Sequence, residues 1–260
     1  MKIVRFQNNN KKFYGKLVDD YVYKIEGNIF DDDYSINDKF SKEEVEFLAP
    51  INPPNIIGIG LNYKKHAKEL NEKLPEKPLI FLKATTSIIG DGEKIVLPSI
   101  APNKTDYEGE LAVVIGKEAK DISVNEVNEY IFGYACANDI TARDCQFEID
   151  SQWARSKSFD TFGPLGPWIE TELTDPNNCE IKTILNNQIV QDSNTSNMIF
   201  NIQELVSYCS KNFTLNPGTV ILTGTPKGVG YNKKPPIFLK SGDKIEVEIE
   251  NIGRITNIVK

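Results

Sequence analysis

The chain predicts a mostly β fold in the α+β class, a sandwich, roll or barrel with few helices, preceded by a small β-rich unit. Three observations carry this. Apolar runs of strand length recur from residue 56 onward, helical periodicity is confined to three short stretches, and Ala49-Pro50-Ile51-Asn52-Pro53-Pro54 interrupts regular structure ahead of both. The boundary falls there, dividing residues 1–50 from residues 51–260.

In the first unit, residues 2–6, 13–18 and 21–25 read as strands, the last two separated by Asp19-Asp20 at hairpin spacing. Ser41-Lys42-Glu43-Glu44 reads as a helix start, a capping residue followed by acids. In the second unit, strands are expected at 56–59, 79–83, 93–97, 111–115, 131–137, 166–169, 180–185, 219–223 and 244–250. Helices are expected at 63–70, 123–128 and 201–210. Many strands with scattered helices do not fit a doubly wound sheet. Residues 244–250 alternate Lys, Ile, Glu, Val, Glu, Ile, Glu, which predicts one buried face and one wet face.

At 260 residues the chain buries roughly 70–75% of its unfolded surface and needs no disulfides for a core. Its net charge of −7 argues against a nucleic-acid groove, which needs a concentrated positive field. No apolar run approaches the ~18 residues of a membrane span, and Met1-Lys2-Ile3-Val4-Arg5-Phe6 lacks the apolar core of a signal peptide. Cys136, Cys145, Cys179 and Cys209 form no CxxC pair, and reduced thiols in a cytoplasm are the simplest reading.

Two carboxylates open the run Asp106-Tyr107-Glu108-Gly109-Glu110-Leu111-Ala112-Val113-Val114-Ile115-Gly116. The strand period of two puts Glu108 and Glu110 on one side. The apolar run at 131–137 ends in Asn138-Asp139, where a neighbouring strand could bring a third carboxylate to the first two. Three converging carboxylates repel one another unless a cation sits between them. Oxygen ligands without thiols favour Mg²⁺, Mn²⁺ or Ca²⁺ over zinc. Taken alone, Glu-x-Glu is equally the pattern of a solvated edge strand.

His66, the chain's only histidine, has Glu69 three residues on, which a helix places on the same face. A carboxylate beside an imidazole orients it and raises its basicity, as a general base requires. Alone, such a pair is also ordinary surface decoration. Lys157 lies in Arg155-Ser156-Lys157-Ser158-Phe159-Asp160-Thr161-Phe162-Gly163-Pro164, rich in the residues of irregular, ligand-facing segments. Thr223-Gly224-Thr225-Pro226-Lys227-Gly228-Val229-Gly230 follows a strand and could present backbone N–H groups and hydroxyls to an anion. It lacks the P-loop pattern, and Gly58-Ile59-Gly60 lacks the third glycine of a dinucleotide fingerprint.

These segments, with Gly60-Leu61-Asn62-Tyr63-x-x-His66, Phe81-Leu82-Lys83 and Asn138-Asp139-x-Thr141-Ala142-Arg143-Asp144, together resemble the fumarylacetoacetate hydrolase superfamily over residues 55–258. Six separated motifs in family order are far more specific than any one of them. The resemblance implies a β-rich roll, commonly homodimeric, with Mg²⁺ or Mn²⁺ held by Glu108, Glu110 and Asp139. It implies His66 and Glu69 as a water-activating dyad, Lys157 as the active-site lysine, Thr225 as a substrate contact, and Arg143 as a substrate or structural contact. Its acylpyruvase and oxaloacetate decarboxylase members look nearest, implying a small anionic 2-oxo acid substrate and cleavage of a carbon–carbon bond in a 2,4-dioxo or β-keto acid. Isomerases and decarboxylases of 2-hydroxymuconate-type compounds are the alternative within the same family. Residues 68–77, polar and containing Pro75, read as a lid over the metal.

Overall fold

The computed structural model describes residues 1–260 apart from 32, 102, 150 and 151. Its N-terminal strands β1 (Lys2–Asn8), β2 (Lys11–Val18), β3 (Tyr21–Glu26) and β4 (Ser35–Ser41) form an antiparallel meander. Ser41 and Glu44 make a capping box, but the helix expected there is a single 3₁₀ turn, Lys42–Glu44. The following strand β5 (Glu46–Leu48) is drawn into pairing with β1, which ends the winding.

The rest of the chain continues with β6 (Ile56–Gly60), α1 (Lys64–Glu69), β7 (Leu79–Lys83), β8 (Ile88–Ile89), β9 (Lys94–Ile95) and β10 (Thr105–Asp106). Then come β11 (Gly109–Ile115), β12 (Ile131–Asn138), β13 (Thr141–Ala142), α2 (Trp153–Lys157), β14 (Gly163–Glu170), β15 (Glu180–Leu185) and β16 (Gln188–Asn194). Helix α3 (Ile202–Asn212), β17 (Val220–Leu222), β18 (Lys244–Ile249) and β19 (Gly253–Val259) complete it. The fold is mostly β, as the strand-length runs require.

Among the described residues, twelve strands join one sheet along β4-β3-β2-β1-β14-β12-β11-β17-β6-β7, with β5 on β1 and β8 on β14. The N-terminal meander enters this sheet through Lys2 opposite Glu170 and Ile3 opposite Ile169. A second sheet runs β16-β15-β18-β19-β9, and β10 pairs with β13. Neighbours are antiparallel except β6 with β17, β8 with β14 and β9 with β19.

Strand β11 is buried along its whole length, so its sequence reads as a continuous apolar run. Leu111, Val113 and Ile115 pack with Ile181, Val247 and Ile249 of the second sheet and with Leu205 and Val206 of α3. Ala112 and Val114 pack on the other side with Ile3, Ile56 and Val220. Each such fully buried valine, leucine or isoleucine contributes about 1.5–3 kcal/mol. The strand that delivers Glu110 is therefore among the most firmly held in the molecule. Helix α3 buries Ile202, Leu205, Val206 and Cys209 at helical spacing and starts with an Asn201–Glu204 capping box.

Three further expectations change. The helix expected over 123–128 is only a 3₁₀ turn, Val127–Glu129, with Val127 its one buried residue, so no apolar stripe supports further turns. The strand expected over 93–97 shrinks to Lys94–Ile95. In β18 the wet face is not wholly wet: Glu246 is buried, because Lys244 and Arg254 close over it as ion pairs. Cys136, Cys145, Cys179 and Cys209 are all buried. No helix among the described residues is long and apolar enough to cross a membrane.

Candidate active site

Antiparallel pairing of β11 with β12 sets Gly109 opposite Asn138, so the residues flanking that pair, Glu108 and Asp139, meet beyond it. Asp139 N–H donates to the Glu108 carbonyl at 2.8 Å, and Glu108 N–H donates to Asn138 Oδ1 at 2.9 Å. Glu110 points the same way two residues on. One carboxylate oxygen from each of Glu108, Glu110 and Asp139 lies within 4.8 Å of the others, and all three residues are buried.

Cations from distant segments surround them. Lys157 Nζ, at the end of α2, donates to Glu108 Oε2 at 2.8 Å, Asp139 Oδ2 at 2.6 Å and Thr141 Oγ1 at 2.8 Å, which engages all three ammonium protons. Lys83 Nζ, at the end of β7, donates to Asp139 Oδ1 at 2.5 Å and to the Phe162 carbonyl at 3.1 Å. Arg143 Nε donates to Asp106 Oδ2 at 2.9 Å and Nη1 to Gln146 Oε1 at 2.8 Å. Its Nη2 stands 2.7 Å from Glu108 Oε1 as an ion pair, not aligned as a hydrogen bond.

Glu110 differs from its neighbours. Among the described residues it has no cationic partner, and it accepts a hydrogen bond from Gly224 N–H at 2.7 Å. Burial, together with the charges of Asp139 and Glu108, pushes its carboxyl well above the usual range. Burial also opposes ionisation of Glu108, but Lys157 and Arg143 outweigh it and hold that carboxyl down at about 2. Four buried carboxyl groups, counting Asp106, thus face three buried cations, and Glu110 is the one with no cation in ion-pair contact. A divalent cation fits there: the donors are oxygens, they converge, and one of them lacks a counter-charge.

The turn from β6 into α1 carries the dyad. Leu61 takes a left-handed φ of 54°, and buried Asn62 donates to the Phe200 and Thr223 carbonyls at 3.0 and 2.8 Å, tying this turn to the strand end next to Glu110's partner. His66 Nδ1 lies 3.1 Å from Glu69 Oε2, as the i,i+3 spacing predicts. Glu69 also accepts from Gly228 N–H at 3.0 and 3.1 Å. Burial tends to raise its carboxyl, yet His66 and Gly228 together draw it below the usual range.

The 223–230 segment does bind anions with its backbone, but the anions are the protein's own. Gly224 N–H serves Glu110, Gly228 N–H serves Glu69, and Gly230 N–H serves Asp106 at 2.7 Å. Gly224 has φ 96°, and a Cβ there would stand 2.7 Å from Asn62 Cβ, so glycine is required. Thr225 donates its hydroxyl proton to the Gly109 carbonyl at 3.0 Å.

These groups line one cavity of about 230 Å³. His66, Glu108, Glu110, Asp139, Arg143, Lys157 and Thr225 all reach its wall, and Glu69 stands behind His66. Phe81 and Trp153 form an apolar side, their rings edge to face at 6.1 Å. Leu70 and Glu72, from the segment read as a lid, lie at the rim.

Sequence reasoning passed over Lys83, Asp106 and Gln146 as site residues. Lys83 closes the motif Phe81-Leu82-Lys83, and Asp106 begins the carboxylate run; a charged residue ending an apolar strand was the available signal. Gln146 follows Arg143 by three residues and carried no signal of its own.

Residues 55–260 match the family described as Fumarylacetoacetate (FAA) hydrolase C-terminal, and residues 1–50 match one described as Rv2993c-like, N-terminal. A fumarylacetoacetate hydrolase domain-containing protein 2 homolog of Dictyostelium discoideum is 48% identical over 236 residues, covering 86% of this chain and 77% of the relative. A Rattus norvegicus protein named oxaloacetate tautomerase Fahd2a, mitochondrial, is 45% identical over 221 residues, covering 84% and 70%. The solved structure of a 5-carboxymethyl-2-hydroxymuconate delta-isomerase from Mycobacterium smegmatis superposes with TM-score 0.90 at 39% identity, covering 100% of this chain and 99% of that one. A fumarylacetoacetate hydrolase from Exiguobacterium antarcticum superposes with TM-score 0.89 at 35% identity, covering 100% and 99%. On a match spanning residues 55–260 and relatives well above 30% identity, this chain belongs to the fumarylacetoacetate hydrolase family of enzymes.

Proposed function

We propose that this chain catalyses proton transfer at the carbon beside the ketone of a small 2-oxo dicarboxylic acid, oxaloacetate foremost, with Mg²⁺ or Mn²⁺ held by Glu108, Glu110 and Asp139. The observation that carries this reading is that His66, held by Glu69 through Nδ1, lines the same cavity as the three converging carboxylates. The tautomer of His66 that donates from Nδ1 to Glu69 leaves Nε2 as the base. Nε2 takes the proton from the carbon between ketone and distal carboxylate, water protonates the enolate oxygen, and the hydroxide so formed takes the proton back from the His66 imidazolium; the reverse direction uses the same groups. A bound divalent cation supplies a Lewis acid that withdraws charge from the ketone oxygen.

Tautomerisation needs no attacking water and no separate oxyanion donor. Hydrolysis needs both. The cavity, about 230 Å³, has room for a small diacid. The rat relative's name, oxaloacetate tautomerase, supports the same substrate class. Carbon–carbon cleavage, by acylpyruvate hydrolysis or oxaloacetate decarboxylation, is the second reading, favoured by the His66–Glu69 geometry, which also fits activation of water.

The experiment is a product partition with Mn²⁺: loss of enol absorbance from oxaloacetate, release of pyruvate from oxaloacetate, and cleavage of acetylpyruvate, followed in parallel. The expected result is enol-to-keto conversion much faster than pyruvate release or acetylpyruvate cleavage. Rapid cleavage without accelerated tautomerisation would replace the lead reading with the second. A homodimer is proposed as the assembly, and a mass near the 29.3 kDa of one chain by light scattering would contradict it.

A further inference from the structure

Gln191 of β16 belongs to the second sheet and reaches across to the start of β11. Its side chain, buried with the residue only 1% exposed, makes four hydrogen bonds. Oε1 accepts from Gly109 N–H at 2.9 Å and from Thr183 Oγ1 at 2.7 Å. Nε2 donates to Thr225 Oγ1 at 2.9 Å and to the Pro226 carbonyl at 2.9 Å. Chemistry fixes the orientation of this carboxamide. The Gly109 amide can only donate and the Pro226 carbonyl can only accept, so Oε1 must face the first and Nε2 the second.

Thr225 in turn donates to the Gly109 carbonyl at 3.0 Å. Three residues therefore close a one-way ring: Gly109 N–H to Gln191, Gln191 to Thr225, and Thr225 back to the Gly109 carbonyl. Gly109 is the residue between Glu108 and Glu110, so the ring grips the backbone that sets the spacing of the two carboxylates. Thr183, beside the ring, accounts for the glycine, since a Cβ at 109 would stand 2.1 Å from Thr183 Oγ1. A buried ring with every donor and acceptor satisfied holds its members far more firmly than a single bond.

We propose that Gln191 is a positioning residue: through Gly109 and Thr225 it holds Glu108 and Glu110 at the separation that binds a divalent cation and fixes the Thr225 hydroxyl at the cavity wall. The proposal rests on reading the carboxylates as a metal centre. The groups that orient metal ligands commonly change affinity by about 10–100-fold when removed, and a grip through the backbone between two ligands belongs at the lower end of that range.

The test is Mn²⁺ titration of the full chain, read as free Mn²⁺ by electron paramagnetic resonance, beside thermal melting. Gln191→Glu replaces the donor with an acceptor facing the Pro226 carbonyl, and Gln191→Met removes the carboxamide; each is expected to weaken Mn²⁺ binding about tenfold. Thr225→Val opens the same ring from the cavity side and is expected to weaken it several-fold, whereas Thr225→Ser keeps the hydroxyl and restores it. Thr183→Val removes a bond outside the ring and is expected to leave affinity within about twofold. Should neither Gln191 variant fold, the two Thr225 variants decide the question. Unchanged Mn²⁺ affinity in Thr225→Val and in any Gln191 variant that folds, even with lowered melting temperatures, overturns the proposal alone. No Mn²⁺ binding by the unsubstituted chain overturns the metal reading and the proposal with it.

Discussion

The carboxylate cluster and the His66–Glu69 dyad line one cavity, yet they are built in opposite ways. The cluster sits at the ends of two central, doubly buried strands, with Lys83, Lys157 and Arg143 brought in from other elements. The dyad rides on a six-residue helix whose only buried residues are His66 and Ala67, followed by a polar segment at the rim. A cation site needs fixed oxygens in a place that can bear their charge. A proton-transfer pair needs one correct hydrogen bond and access to the substrate, which a short helix anchored by Asn62 supplies.

Within the cluster the same contrast can be broken residue by residue. Asp139→Ala should have the largest effect, because it leaves Lys83 with the Phe162 carbonyl as its one partner and removes a candidate ligand as well. Stripping one partner from a buried ion pair costs about 3–5 kcal/mol, which thermal melting in chelator would show as a fall of roughly 10 °C. Glu110→Gln should leave that melting temperature nearly unchanged, since Glu110 has no ion-pair partner to strand and the amide keeps an oxygen for Gly224 N–H. Its Mn²⁺ affinity should nonetheless collapse, by about 100-fold or more in calorimetric titration. If the two variants lost stability alike, Glu110 would not be the uncompensated member of the cluster.

His66→Ala tests the other region. General acid–base groups contribute about 10²–10⁴-fold, so kcat for tautomerisation should fall in that range while Mn²⁺ affinity stays within about twofold. A comparable loss of metal binding would merge the two regions into one. Trp153→Leu should have the smallest effect. It removes an edge-to-face contact with Phe81 worth about 0.5–1.5 kcal/mol and enlarges the apolar side of the cavity. KM for oxaloacetate should rise a few-fold with kcat nearly unchanged, and longer muconate-type diacids should be accepted better; a fall in kcat alone would assign Trp153 a different task.

Local patterns made much of this legible, and long-range pairing hid the rest. Glu108 and Glu110 followed from a period of two, and His66 with Glu69 from i,i+3 on a helix, because each is settled within a few residues of chain. Asp139 needed only that two apolar runs be neighbours. Lys83 lies 56 residues from Asp139, and Gln191 lies 82 from Gly109, separations at which no periodicity carries information. The strands Gln188–Asn194 and Gly253–Val259 escaped notice because polar residues such as Gln191 and Asn257, both buried and hydrogen-bonded, occupy positions where alternation calls for apolar ones. The 223–230 loop was recognisable as an anion-binding backbone, but which anions it holds depends on the packing of β6, β11 and β17 around it.

A divalent cation on Glu108, Glu110 and Asp139 is proposed to assist enolisation of a small 2-oxo diacid. The most direct measurement is the rate of oxaloacetate enol decay in chelator-stripped protein before and after addition of Mn²⁺, for the unsubstituted chain and Glu110→Gln. Acceleration that returns with Mn²⁺ in the first and not in the second is the result expected. Full acceleration in excess chelator would contradict it.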